Sequence, residues 1–196
     1  MTSILRSIPF AFAFFIALAG ASATHAGTPP LPPDSVYQLD AALTDQDHRA
    51  LRFADGRGEL RLVSMFYTSC PFMCPLIVDT IRKTEHALPE AERSRLKVLM
   101  VSFDAAHDDP AALKALAGKR RIDTPRWTLA HANAADVRRI AAVLDIQYRQ
   151  LQDGGFSHSS ALILLDADGR IVARTEKMGD ADPAFVAAIA QRLVRR

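Results

Sequence analysis

Apolar and polar positions alternate with changing period along the chain, and the changes mark most of its elements. Residues 60–66, LRLVSMF, are largely apolar, and residues 97–103, KVLMVSF, repeat that character between charged neighbours. Apolar runs of this length predict strands covered on both faces, as in a parallel sheet. Between them, Pro75 to Leu88 places Leu76, Ile77, Thr80, Ile81 and Thr84 along one side, which predicts an amphipathic helix ended by Pro89. Strand, helix and strand are expected to form a right-handed parallel unit.

The alternation continues downstream. Pro110 to Lys119 reads as a short helix capped by Asp108 or Asp109, Trp127 to Ala130 as a short strand, and Ala134 to Leu144 as a helix opened after Asn133. Ser160 to Leu165 and Arg170 to Thr175 read as two strands joined through Asp166 to Gly169, where Asp168–Gly169 is a hairpin signal. Asp182 and Pro183 open a last helix. Upstream, Val36 to Leu39 and Ala50 to Phe53 are expected to form an N-terminal β-hairpin, with Asp45 to Asp47 between them and a turn at Gly56 to Gly58. The order is β-α-β, an inserted α-β-α stretch, then β-β-α. It predicts an α/β protein of thioredoxin-like layout over residues 35–196.

Before this domain, an apolar run from Ile8 to Ala19 follows Arg6, and the small residues Ala21, Ser22, Ala23 and Ala26 come after it. That pattern predicts a secretory signal peptide over residues 1–26, or an uncleaved N-terminal anchor, and hence an exported, periplasmic protein. GTPPLPPD at residues 27–34 reads as an extended proline-rich linker. The 196 residues carry 24 Lys plus Arg against 22 Asp plus Glu, a net charge of +2 that leaves no footprint for nucleic acid.

Both cysteines lie in FYTSCPFMCPL, residues 66–76, between a predicted strand and a predicted helix. Cys74 is expected at the N-cap with Pro75 at the first helical position, so that free amide N–H groups and the helix dipole favour thiolate at the sulfurs. Two cysteines four apart can close a reversible disulfide, although the thioredoxin motif has two intervening residues rather than three. A looser turn also lets both sulfurs face one soft ion, Cu(I) first and zinc as competitor. In an oxidising compartment the pair drifts to the disulfide unless a metal or a thiol reductant holds it open. For a third donor, His158 stands out, at a loop-to-strand junction in DGGFSHSS. His107 in VSFDAAHDDP is the second choice. His25, His48, His86 and His131 read as solvated.

FYTSCPFMCP, VSFDAAHDDP and FSHSSALILLDADGRIV resemble the three signature segments of the Sco (SenC) proteins, thioredoxin-like copper chaperones for cytochrome c oxidase assembly. The resemblance implies copper ligands Cys70, Cys74 and His158. It also implies a partner in the copper-site subunit of cytochrome c oxidase or another exported copper protein. Many members have histidine just before the first cysteine and an acidic residue two positions after it; this chain has Ser69 and Phe72. His107 stands where arginine is frequent, Asp104 matches the family's aspartate as a supporting residue, and Met73 reads as packing.

Two functions follow. The first is copper binding and delivery through Cys70, Cys74 and His158. The second is thiol–disulfide exchange, with Cys70 and Cys74 as the redox dithiol and a copper protein's cysteines as target.

Overall fold

In the computed structural model, which describes residues 29–194, the chain enters its sheet later than the apolar pattern predicts. The signal peptide or anchor at 1–26, the first two linker residues and the terminal Arg195 and Arg196 lie outside the described residues. Among the described residues, those from Leu31 onward form one compact unit.

Val36–Gln38 is a turn of 3-10 helix, not a strand. The Ser35 side chain accepts the Tyr37 N–H at 3.1 Å and closes this turn locally, so Val36 and Tyr37 are buried by plugging the sheet's end rather than by joining it. Tyr37 packs edge-on against Phe53, ring centroids 5.9 Å apart. Its other neighbour is Gly169, where φ is +76° and a Cβ would stand 2.4 Å from the tyrosine ring. Glycine is required there on both counts. The hairpin strands are instead β1 (Ala42–Asp45) and β2 (Ala50–Arg52).

β3 (Leu60–Phe66) follows, buried at every position but Arg61. It leads into α1 (Met73–His86) and the single-turn α2 (Glu90–Arg93), which no sequence signal marked. β4 (Leu96–Ser102) runs parallel to β3 in the register Leu60↔Leu96 to Phe66↔Ser102. α3 (Pro110–Arg120), β5 (Trp127–His131) and α4 (Ala134–Val143) form the inserted stretch. β6 (Tyr148–Gln150) and β7 (Phe156–His158) pair only with each other, as a separate antiparallel ribbon. β8 (Leu162–Leu165), β9 (Ile171–Thr175) and α5 (Pro183–Val194) close the chain.

The main sheet has the order β2-β1-β5-β4-β3-β8-β9. Its centre, β5-β4-β3, is parallel, and β1 and β8 join that centre antiparallel. The continuous apolar runs in β3 and β4 are explained by that central position, covered on both faces. α1 turns Cys74, Ile77, Val78 and Ile81 inward, while Leu76 is only half-buried. Its far end is tied to β5 through the buried Glu85 carboxylate, which accepts from Trp127 Nε1 at 3.2 Å and from Arg126 at 2.5 Å. Burial pushes the Glu85 carboxyl up, against the opposing pull of Arg126. At the opposite end of the sheet the β3–β4 register sets Phe66 beside Ser102, so the C-terminal ends of the two strands lie side by side, the place where open α/β sheets carry their sites.

Candidate metal centre

Beyond Phe66 the chain turns through Tyr67 to Phe72 before α1 begins. The helix starts at Met73, with Phe72 as N-cap and no side-chain capping bond. Cys74 is therefore the second residue of the helix and Pro75 the third, not the cap and first residue. A proline is tolerated throughout the first turn because the amide it lacks has no intrahelical partner there.

This two-residue shift decides which sulfur the amides serve. The Cys74 N–H donates to Cys70 Sγ at 3.3 Å, and the Tyr67 N–H donates to Cys74 Sγ at 3.4 Å. Partial burial alone would push the Cys70 thiol up, but the N–H groups of Cys74, Phe72 and Met73, with the Cys74 thiol, outweigh it and leave it below its ordinary range. Cys74, only 4% exposed, goes the other way: burial pushes its thiol up well above the ordinary range despite the Tyr67 N–H. The pair is asymmetric: the half-buried Cys70 sulfur gives up its proton more readily than the buried Cys74 sulfur.

His158 reaches this loop from the separate ribbon β6–β7, not from the edge of the main sheet. One donor atom each from Cys70, Cys74 and His158 lie within 4.8 Å of one another. Donors spread around one ion at bond lengths of about 2.0–2.3 Å sit up to about 4 Å apart, so a closure of about 1 Å completes a site. His158 Nδ1 lies 3.1 Å from the Ser159 carbonyl oxygen, which can only accept. Nδ1 therefore carries the proton and Nε2 keeps its lone pair for a ligand. The imidazole is held among aromatic rings: Phe103 at 4.9 Å and Tyr67 at 6.1 Å, centroid to centroid. Tyr148, opposite His158 in the ribbon, stacks on Phe103 at 4.8 Å.

An open groove of about 880 Å³ lies over the site, lined by Cys70, Phe72, Met73, His107, Asp153 and His158 among others. His107 lies on this groove but outside the three-donor cluster, its Nδ1 bonded to the Asp104 carboxylate at 2.9 Å. Asp104 is buried and so supports the groove wall rather than facing an ion.

A family model described as SCO1/SenC matches residues 34–195. The chain belongs to the SCO1/SenC family. A candidate copper-binding protein of Stutzerimonas stutzeri is 25% identical over 141 residues, 70% of this chain and 67% of that one. Among solved structures, Bradyrhizobium japonicum ScoI with copper bound has a TM-score of 0.64 at 22% identity, covering 80% of this chain and 97% of that one. BsSco, a member of the Sco family of cytochrome c oxidase assembly proteins in which a disulfide switch was identified, has a TM-score of 0.66 at 17% identity. It covers 81% of this chain and 96% of BsSco. These likenesses establish the thioredoxin-like fold.

Within this SCO1/SenC chain, two supports of the site went unread in the sequence. Asp108, 1% exposed, accepts the Thr68 N–H at 2.7 Å and also the hydroxyls of Thr68 and Ser102. It pins the cysteine loop to the end of β4, while Asp109 alone caps α3. The signal was available: with Pro110 at the first helical position the cap must be Asp109, which frees Asp108 for another task. Tyr67 is the other. Burial pushes its phenol up, and its ring packs edge-on against Phe156 at 5.2 Å and His158 at 6.1 Å, centroid to centroid, joining the ribbon to the loop.

Proposed function

We propose that the chain binds one copper ion through Cys70 and Cys74 as thiolates and His158 through Nε2, and passes it to an exported copper protein, with the copper-site subunit of cytochrome c oxidase as acceptor. The observation that carries this reading is the convergence of exactly one imidazole on two sulfurs from elements far apart in sequence. Two sulfurs suit Cu(I), the imidazole adds a donor suited to Cu(II), and the open groove leaves a route for transfer. Copper in the Bradyrhizobium japonicum relative and oxidase assembly in the family of BsSco support it. Residues 1–26 would export the chain to the periplasm or tether it to a membrane; among the described residues no helix is long and apolar enough to cross one.

Anaerobic copper titration of the reduced full chain, read by mass and absorbance, tests the reading. One copper per chain is expected; none retained on desalting refutes it. Cys70→Ser and Cys74→Ser should each lose most of the binding. His158→Ala should weaken Cu(II) far more than Cu(I), because two thiolates alone can hold Cu(I).

The asymmetric sulfurs support a second reading, thiol–disulfide exchange with Cys70 attacking and Cys74 resolving. Under it, His158→Ala would leave metal binding immaterial and slow reduction of a disulfide target.

A further inference from the structure

A second, smaller cavity of about 280 Å³ also reaches the cysteines, between the start of α1 and the end of α3. Cys70 and Cys74 line it, with Val78 and Leu116 as apolar wall and Lys119 and Arg120 as its only charged residues. Cys74 does not line the larger groove, and His158 does not line this cleft. The two openings differ in charge. The groove carries Asp104, Asp108 and Asp153, whereas the cleft carries two cations.

Lysine and arginine in a helix's last turn are common, since they complement its dipole. That accounts for their presence on α3 but not for their meeting the dithiol. On α1, the exposed Asp79 is already paired with Arg82 at 3.6 Å. Neither Lys119 nor Arg120 takes part in an ion pair recorded among the described residues. The N-terminus of α1 faces the same sulfurs and adds positive potential. Cleft size, apolar wall and unpaired cations match a small ligand with one anionic end.

We propose that this cleft is the docking subsite for the anionic group of a small thiol that reduces the Cys70–Cys74 disulfide. The proposal rests on the dithiol and not on the metal. The thiolate sulfur of the ligand bonds to Cys70, the more exposed sulfur. The Cys70–Cys74 bond breaks as it forms. The Cys74 sulfur leaves with the electron pair toward the Tyr67 N–H, its partner in the reduced chain, and takes a proton from solvent. A second thiol then attacks the ligand's sulfur in the mixed disulfide and releases Cys70. Two thiols supply two electrons and leave as their own disulfide. Access through the groove would bring the same anion against carboxylates instead.

The test uses the full chain in its disulfide form and three thiols: 2-mercaptoethanesulfonate, 2-mercaptoethanol and cysteamine, compared at equal thiolate concentration by quenching and mass. The sulfonate should react fastest and the ammonium slowest. The ratio between them should fall about threefold to tenfold in a Lys119→Ala/Arg120→Ala double variant, the scale of two exposed charge contacts, and should fall with added salt. A ratio unchanged in the double variant overturns the proposal. So does a ratio that moves with Asp153→Asn in the groove instead. Copper uptake by the reduced parent chain scores the metal reading separately, so either can fail alone.

Discussion

Replacing Asp108 separates what its shape contributes from what its charge contributes. Asp108→Ala removes the acceptor of the Thr68 N–H and of the Ser102 hydroxyl, the latter on a residue 1% exposed. Each buried donor left without a partner costs about 1–3 kcal/mol, so the alanine variant should lose roughly 2–6 kcal/mol of stability. Asp108→Asn is different. Its carbonyl oxygen can still accept the Thr68 N–H and the Ser102 hydroxyl, and the Thr68 hydroxyl can rotate to accept from the new amide. Only the charge assistance is lost, about 1 kcal/mol. Urea denaturation of the metal-free chain, followed by circular dichroism with the slope checked for constancy, measures both. A second readout concerns the charge. Burial is the main reason the Cys74 thiol lies high, and the Asp108 carboxylate adds to it. Metal uptake requires the thiolate, so it improves as pH rises, and Asp108→Asn should move the uptake profile to lower pH. Equal destabilisation by asparagine and alanine would refute the hydrogen-bond account, and an unmoved profile would refute the electrostatic one.

Three further outcomes are expected. Because the Cys74 thiol is raised above its ordinary value of 9.0 in the fold, only the unfolded chain releases that proton as pH first passes 9.0, so the metal-free protein should lose stability there; Tyr37, raised from 10.0 to about 12, extends the loss, and the urea midpoint measured from pH 7 upward checks both. Phe103→Ala should cost about 3–5 kcal/mol and also weaken Cu(II), since it removes the ring that packs on both His158 and Tyr148, and denaturation together with the Cu(II) spectrum reads the two effects. Air-oxidised chain should show no free thiols and take up no copper, and a thiol assay returning both thiols free would count against closure of the Cys70–Cys74 pair.

The parallel centre of the sheet and the inserted helices were legible because each is announced by a period or a cap. β3 and β4 are continuous apolar runs, Asn133 caps α4 by accepting from Ala135 and Asp136, and Asp168–Gly169 turns β8 into β9. The ribbon β6–β7 was not legible. Its strands have three residues each and alternate weakly, and their apolar residues Tyr148 and Phe156 are accounted for by packing on each other and on Phe103 rather than by a sheet face. The N-terminal strand failed for a related reason: Val36 and Tyr37 are apolar neighbours used as a plug, and local pattern cannot tell a plug from a strand. Of the site, the two sulfurs and His158 could be named from residue type and spacing, but their convergence depends on that unread ribbon.

The misplacement of the α1 N-cap has a cause within the site itself. Helix starts are read from a polar side chain that accepts an amide of the first turn, and Phe72, 84% exposed, offers none. The amide at the second helical position, Cys74 N–H, is taken instead by Cys70 Sγ, two residues before the cap. A sulfur thus does what a capping oxygen ordinarily does, and the stabilisation of that helix start is coupled to the charge on Cys70. With a serine or aspartate at position 72 a second acceptor would compete for the same amides, and an acidic one would also set a negative charge beside the thiolate. Phe72 leaves those donors to the cysteine. The local rule for starting a helix is broken at the residue where obeying it would draw donors away from the reactive sulfur.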